Sequence, residues 1–190
     1  MGGGIAMSFL NAGIPVWLLE TTQEALDRGL ATIRSLYEAQ VRKGRLRQAQ
    51  MDERLSGLGA TLHHEDIAQA DLVIEAVFED RAVKAGVTAK AEAVIGAGAV
   101  FASNTSTLPI TGLAQASRRP ASFLGLHFFS PVDKMPLVEI IVGKETSDET
   151  LARGFDYVLQ IGKTPIVVND SRGFYTSRVF ATYVMEGIAM

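Results

Sequence analysis

The sequence has 190 residues, 47% of them hydrophobic, with a formal net charge of −3 and no cysteine. The length suits one domain with room for the start of another, and the charge offers no field for nucleic acid. Without cysteine there are no disulfides, no thiolate chemistry and no cysteine-held metal. No apolar run reaches the roughly 18 residues of a membrane span, and no signal-peptide pattern opens the chain, so a cytoplasmic protein is expected.

In chain order, Gly2-Gly3-Gly4 runs into Ile5, Ala6, Phe9 and Leu10, a short amphipathic helix closed by Asn11-Ala12-Gly13. An apolar strand follows from Pro15 and ends in the acid Glu20. Leu26, Leu30, Ile33 and Tyr37 recur at spacings of three and four, which predicts a helix over residues 22–43 with Gly44 beyond its C-terminus. A second helix is expected over 46–58. His63 and His64 precede Glu65 and Asp66; adjacent strand residues face opposite ways, so the two are read as surface residues and no metal site is expected.

Residues 71–77 read as a buried strand, 81–95 as a helix and 99–103 as a strand. Further strands are expected at 123–128 and 137–142. Ser147-Asp148-Glu149-Thr150 has the form of a helix start, and the helix should reach residue 161 before a strand at 164–168. Phe174, Val179, Phe180, Tyr183 and Val184 form one broad apolar helix face, which should pack on something beyond Met190.

Continuous apolar strands alternating with helices indicate a sheet covered on both faces. The fold class expected is α/β, a Rossmann-like doubly wound sheet, mostly parallel, with antiparallel pairing possible among the later strands. A glycine-opened helix, a strand and an acid make the second half of a dinucleotide-binding unit. On that reading the first strand is missing and Gly2 is the third glycine of G-x-G-x-x-G. Residues 1–170 then form the nucleotide-binding domain, and 171–190 begin a helical one.

Five groups of residues are candidates for chemistry. Bare amides at Gly2 and Gly3 suit a pyrophosphate; a flexible leader is the alternative. Glu20, 18 residues after Gly2, could accept hydrogen bonds from both ribose hydroxyls and would repel a 2′-phosphate, favouring NAD over NADP; it could also be a solvated strand-end acid. Asn104-Thr105-Ser106 follows a strand end, either lining a ligand crevice or capping a turn. His127 and Glu139 lie 12 residues apart on successive strands, as a general base with its carboxylate or as a structural histidine. Arg42, Lys43, Arg45 and Arg47 could meet a phosphate-bearing ligand or simply be a solvated helix end.

Several stretches together resemble the 3-hydroxyacyl-CoA dehydrogenase family: Met1-Gly2-Gly3-Gly4-Ile5-Ala6, residues 71–79, Ser103-Asn104-Thr105-Ser106, and most specifically Gly125-Leu126-His127-Phe128-Phe129-Ser130-Pro131-Val132 running on through Met135-Pro136-Leu137-Val138-Glu139. The wording from Lys134 to Glu139 is most similar to the multifunctional fatty-acid oxidation proteins, which fuse an enoyl-CoA hydratase to this dehydrogenase. The resemblance implies NAD-dependent oxidation of L-3-hydroxyacyl-CoA to 3-oxoacyl-CoA in fatty-acid β-oxidation. It implies His127 as base, Glu139 as its partner, Ser106 on the substrate oxygen, Glu20 on the ribose, and Glu79, Lys84 and Asn104 on the cofactor side. It also implies a homo-oligomeric parent joined through the helical domain.

One departure stands out. The family's Gly-Phe-x-x-Asn-Arg stretch reads Gly173-Phe174-Tyr175-Thr176-Ser177-Arg178 here, with the shorter Ser177 in place of asparagine. Two other readings stay open at this point: a related dehydrogenase of free hydroxy acids, and a non-catalytic nucleotide-binding remnant. Without its first strand, the chain by itself is expected to bind NAD poorly and turn over slowly.

Overall fold

The computed structural model describes all 190 residues. The elements in order are α1 (Gly2–Asn11), β1 (Val16–Leu19), α2 (Gln23–Arg42), α3 (Gln48–Ser56), β2 (Leu58–Thr61), β3 (Leu72–Glu75), α4 (Arg81–Glu92), β4 (Val100–Ser103), α5 (Ile110–Ala114), β5 (Phe123–Phe128), β6 (Leu137–Val142), α6 (Asp148–Gln160), β7 (Thr164–Asn169) and α7 (Thr176–Ala189). Short 3-10 turns at His64–Ile67 and Pro120–Ser122 complete the chain.

Local chemistry sets most boundaries. The Thr22 hydroxyl caps α2 by accepting from the Ala25 N–H at 3.2 Å, and the Ser147 hydroxyl caps α6 through the Thr150 N–H at 3.2 Å. Gly44 ends α2 with φ 66°; the Arg45 N–H then reaches back to the Gln40 carbonyl and the Gly44 N–H to that of Val41. The helix expected over 46–58 is shorter, because residues 58–61 become β2. Leu58-Gly59-Ala60-Thr61 has little strand propensity of its own. Parallel pairing with β1 decides it, placing Trp17 opposite Gly59, where a Cβ would fall 2.6 Å from the indole. The five-residue α5 and both 3-10 turns have too few residues for a periodic signal and were not anticipated.

The strands form two sheets. β1 and β2 pair in parallel; the second sheet has the order β3-β4-β5-β6-β7. Pairing in it is parallel except between β5 and β6, which run antiparallel. β1 and β3 share no ladder, and α1 spans the two sheets. Ile5 and Phe9 bury against Val100, Ala102, Leu124 and Val138 of the larger sheet. Ala6 and Met7, on the helix's other side, pack with Ile33, Tyr37, Leu46 and Met51.

Side chains alternate across the larger sheet with a period of two. One face presents Val100, Ala102, Leu124, Leu126, Phe128, Val138 and Ile140 toward α1 and α6. The other presents Phe101, Phe123 and Ile141 toward α4 and α5. Every residue of β4 and β5 is buried, which accounts for their apolar character apart from Ser103 and His127. α7 buries none of its residues, leaving Phe180, Tyr183 and Ile188 largely exposed. No helix is long and apolar enough to cross a membrane.

Candidate active site

The β5–β6 register sets His127 directly against Glu139. Both lie on the α4/α5 side of the sheet, since alternation gives them the parity of Phe123 and Ile141. His127 Nδ1 and Glu139 Oε2 are 2.7 Å apart, and Glu139 is fully buried. The carboxylate's other oxygen accepts the Thr176 N–H at 2.8 Å and the Tyr175 N–H at 3.1 Å, so it also caps the start of α7. Burial pushes the Glu139 carboxyl up, but the His127 hydrogen bond and the Thr176 amide outweigh it and hold the group below its ordinary range. An ionised Glu139 requires the hydrogen on Nδ1, which leaves Nε2 with its lone pair and able to take a proton.

Two aromatic rings frame this imidazole. Phe129 lies 4.4 Å and Phe174 6.0 Å away, ring centre to ring centre. Phe174 has φ 48° directly after Gly173 at 76°. A bulky side chain seldom adopts that conformation, and such residues gather at functional sites. Here the pair of left-handed residues turns the chain so that the Tyr175 and Thr176 amides face Glu139. Phe174, expected on the apolar face of the last helix with Val179 and Phe180, instead precedes α7 and is buried in the core, and the two amides carry no signal in the sequence.

A second cluster occupies the C-terminal ends of β3 and β4. Asn104 and Ser106 follow β4, and the Asn104 side-chain oxygen accepts the Phe128 N–H at 3.0 Å, tying that end to the end of β5. One Glu79 oxygen accepts from the Thr105 hydroxyl, from the amides of Ser106 and Thr107 at 3.2 and 3.3 Å, and from the Thr107 hydroxyl at 3.3 Å. Burial raises the Glu79 carboxyl, but the Thr105 hydrogen bond, the Lys84 charge and the two amides bring it below the ordinary value. Ser106 itself is exposed at the mouth of this cluster. Lys84 is 1% exposed, with its ammonium 2.9 Å from Glu75 Oε1 and 3.4 Å from Glu79 Oε2.

The loop between β5 and β6 closes over α1. A Cβ on Gly4 would meet Val132 at 2.9 Å, so only glycine allows this approach. Lys163 holds the loop from the far side, donating to the Val132 and Met135 carbonyls at 2.7 and 2.8 Å. Burial lowers its pKa against the opposing pull of Asp133.

Gly2 and Gly3 form the first turn of α1, which has no side-chain cap at its N-terminus. Their amides are thus open to an anion, and a Cβ on Gly2 would come only within 4.0 Å of Ala76. Glu20 follows β1, half-buried, its own N–H bonded to the Thr61 carbonyl. These features fit a dinucleotide: amides for the pyrophosphate and a carboxylate for the ribose. Ser177 lies half-buried in the first turn of α7, beside Thr176, but no hydrogen bond joins it to His127 or Glu139. Arg42, Lys43, Arg45 and Arg47 are exposed around the α2–α3 turn, and so is His63; His64, expected as a surface residue by strand alternation, instead opens a 3-10 turn and is half-buried.

The chain is similar to known proteins along its length. The family model for the NAD binding domain of 3-hydroxyacyl-CoA dehydrogenase matches residues 1–171. A fatty acid oxidation complex subunit alpha from Colwellia psychrerythraea is 46% identical over 194 residues, covering 98% of this chain and 27% of that protein. The crystal structure of M. tuberculosis FadB2 superposes with a TM-score of 0.96 at 35% identity, over 100% of this chain and 67% of that one. The (S)-3-hydroxybutyryl-CoA dehydrogenase PaaH1 of Ralstonia eutropha gives 0.95 at 34% identity, over 98% and 66%. The dehydrogenase part of multifunctional enzyme 1 from C. elegans gives 0.79 at 29% identity, over 88% and 38%. The chain belongs to the 3-hydroxyacyl-CoA dehydrogenase family, and the part of that family it matches is the NAD-binding domain.

Proposed function

We propose that the protein oxidises L-3-hydroxyacyl-CoA to 3-oxoacyl-CoA with NAD, as one step of fatty-acid β-oxidation. The observation that carries this reading is the His127–Glu139 pair: a buried carboxylate fixes one imidazole nitrogen and leaves the other as a base. His127 Nε2 takes the hydroxyl proton, and Glu139 stabilises the imidazolium that forms. Ser106 holds the substrate oxygen, with its backbone fixed by Glu79. Bound NAD supplies the hydride acceptor; Gly2 and Gly3 would hold its pyrophosphate and Glu20 its ribose. Glu79, Lys84 and Asn104 shape the nicotinamide end of the crevice, and Ser177 a part of the substrate side. The protein supplies position and electrostatics to the cofactor's chemistry.

Residues 1–170 act in this reading as the nucleotide-binding domain and 171–190 as the first helix of a helical one. Within a longer, cytoplasmic parent, fusion to an enoyl-CoA hydratase is supported by the likeness to a fatty acid oxidation complex subunit alpha. A homo-oligomeric parent belongs to the same reading. The experiment is NADH oxidation with acetoacetyl-CoA in the longest native form of the protein. Turnover that requires the CoA thioester bears the reading out; equal turnover of free acetoacetate, or none of either, overturns it.

A further inference from the structure

Residues 130–136, the loop from β5 to β6, are exposed except for Val132. Val132 packs with Ile5 and Phe9 of α1 and fills the space that a Cβ on Gly4 would need. Within the loop, the Lys134 and Met135 amides reach back to the Pro131 carbonyl at 3.1 and 3.0 Å. Behind it, toward α1 and the turn from α6 to β7, runs a cleft of about 230 Å³ lined by Ser8, Asn11, Asp133, Met135 and Gly162 among others. Packing therefore holds the loop at one residue and leaves its back unsupported.

One side chain reaches across to that back. Lys163 donates to the Val132 and Met135 carbonyls at 2.7 and 2.8 Å, and no other side chain hydrogen-bonds to residues 130–136. The lysine's own backbone is fixed first. Gly162, with φ 70°, ends α6: its N–H returns to the Leu159 carbonyl at 2.9 Å and the Lys163 N–H to that of Val158 at 3.1 Å. Thr164 then enters β7 beside β6. From this platform the ammonium forms no ion pair, and Asp133 acts on it only at longer range. An ammonium half-buried on two carbonyls gives up solvation that a surface lysine keeps. What it gains is two directed, charge-assisted bonds to one loop.

That loop joins the two halves of the site. At its start Phe129 lies 4.4 Å from the His127 ring, centre to centre. At its middle Val132 seats the first turn of α1, which carries the open Gly2 and Gly3 amides. We infer that Lys163 is a positioning residue: by gripping the Val132 and Met135 carbonyls it fixes the β5–β6 loop on α1, and so sets the glycine turn of α1 relative to His127. The catalytic meaning of this grip rests on the dehydrogenase reading.

Lys163→Met removes the donors and keeps most of the apolar stem. In the intact protein, hydrogen exchange at the Lys134 and Met135 amides should quicken about tenfold. In the same variant kcat should fall about tenfold and KM for NADH should rise about threefold, because a small misplacement of one half of the site is felt at the reacting atoms. Lys163→Arg, which keeps two donors, should stay within about threefold of wild type in all three readouts. Val132→Ala loosens the same loop from the α1 side and serves also if Lys163→Met fails to fold. Combined with Lys163→Met it should cost little more than the larger single effect, since both changes release one contact. Unchanged exchange at Lys134 and Met135, wild-type kinetics in a folded Lys163→Met or Val132→Ala protein, Lys163→Arg as slow as Lys163→Met, or effects that simply add would each overturn the inference. A wild-type protein inactive on acetoacetyl-CoA would instead sink the dehydrogenase reading, and the exchange measurement would still decide whether Lys163 holds the loop.

Discussion

Two buried carboxylates sit in one sheet, each against a nitrogen partner, and the two pairs are built to opposite ends. His127–Glu139 is made by neighbouring residues across an antiparallel ladder, and its imidazole keeps one ring nitrogen uncommitted. Glu75–Lys84 is made between a strand end and a helix, and both carboxylate oxygens face the ammonium, which also faces Glu79 and the Asn104 carbonyl. The first pair has a valence left for chemistry; the second is closed. Burial alone therefore does not mark a reactive group. What marks it is burial on one side with an unspent donor or acceptor on the other.

The comparison can be broken most severely at the closed pair. Lys84→Met by itself should cost about 3–5 kcal/mol of stability in denaturant unfolding, because Glu75 is left buried without its counter-ion. A cost under about 1 kcal/mol would mean that the site admits water and is not closed. At the open pair the larger effect falls on rate. His127→Ala should slow turnover on the order of 100-fold or more, with NAD binding nearly intact by calorimetry. Its stability should change less than that of Lys84→Met, since Glu139 keeps the Tyr175 and Thr176 amides. Loss of NAD binding without a specific rate effect would remove His127 from the chemistry.

Acid sharpens the contrast further. Folding lowers the pKa of Glu139, where burial is outweighed by the His127 hydrogen bond and the Thr176 amide, and that of Glu79, where it is outweighed by the Thr105 hydrogen bond and Lys84. Both carboxyls bind protons less readily folded than unfolded. Their stabilising contribution is complete at neutral pH and is lost as the pH falls below 4.5 toward the folded values. The melting temperature should drop across that interval, and Glu139→Gln should flatten part of the slope. The smallest effect belongs to a pair at the surface. Arg28 and Glu24 form an ion pair on α2 with both side chains more than half exposed. Glu24→Ala should change stability by less than about 0.5 kcal/mol, and a larger loss would show that solvent screening does not separate surface pairs from buried ones here.

Much of this was legible from residue order. The helix expected over residues 22–43, and found at Gln23–Arg42, could be drawn from its apolar spacing and Gly44, because those signals act within a few residues. His127 and Glu139 could be named as partners because a short connection between two strands leaves few other arrangements. Strand β2 could not, since its Gly-Ala core acquires strand form only by lying against Trp17.

The sequence by itself determined the α/β alternation, the strands buried on both faces and the histidine–glutamate pair, because local periodicity and close chain connection carry those features. Tertiary structure alone decided that the strands divide into two sheets with α1 between them, and that Phe174 and the first amides of α7 complete the histidine's surroundings. It also decided that Lys84 turns inward to Glu75. Those outcomes depend on contacts between residues far apart in the chain, where no local pattern states which buried charge will find which partner.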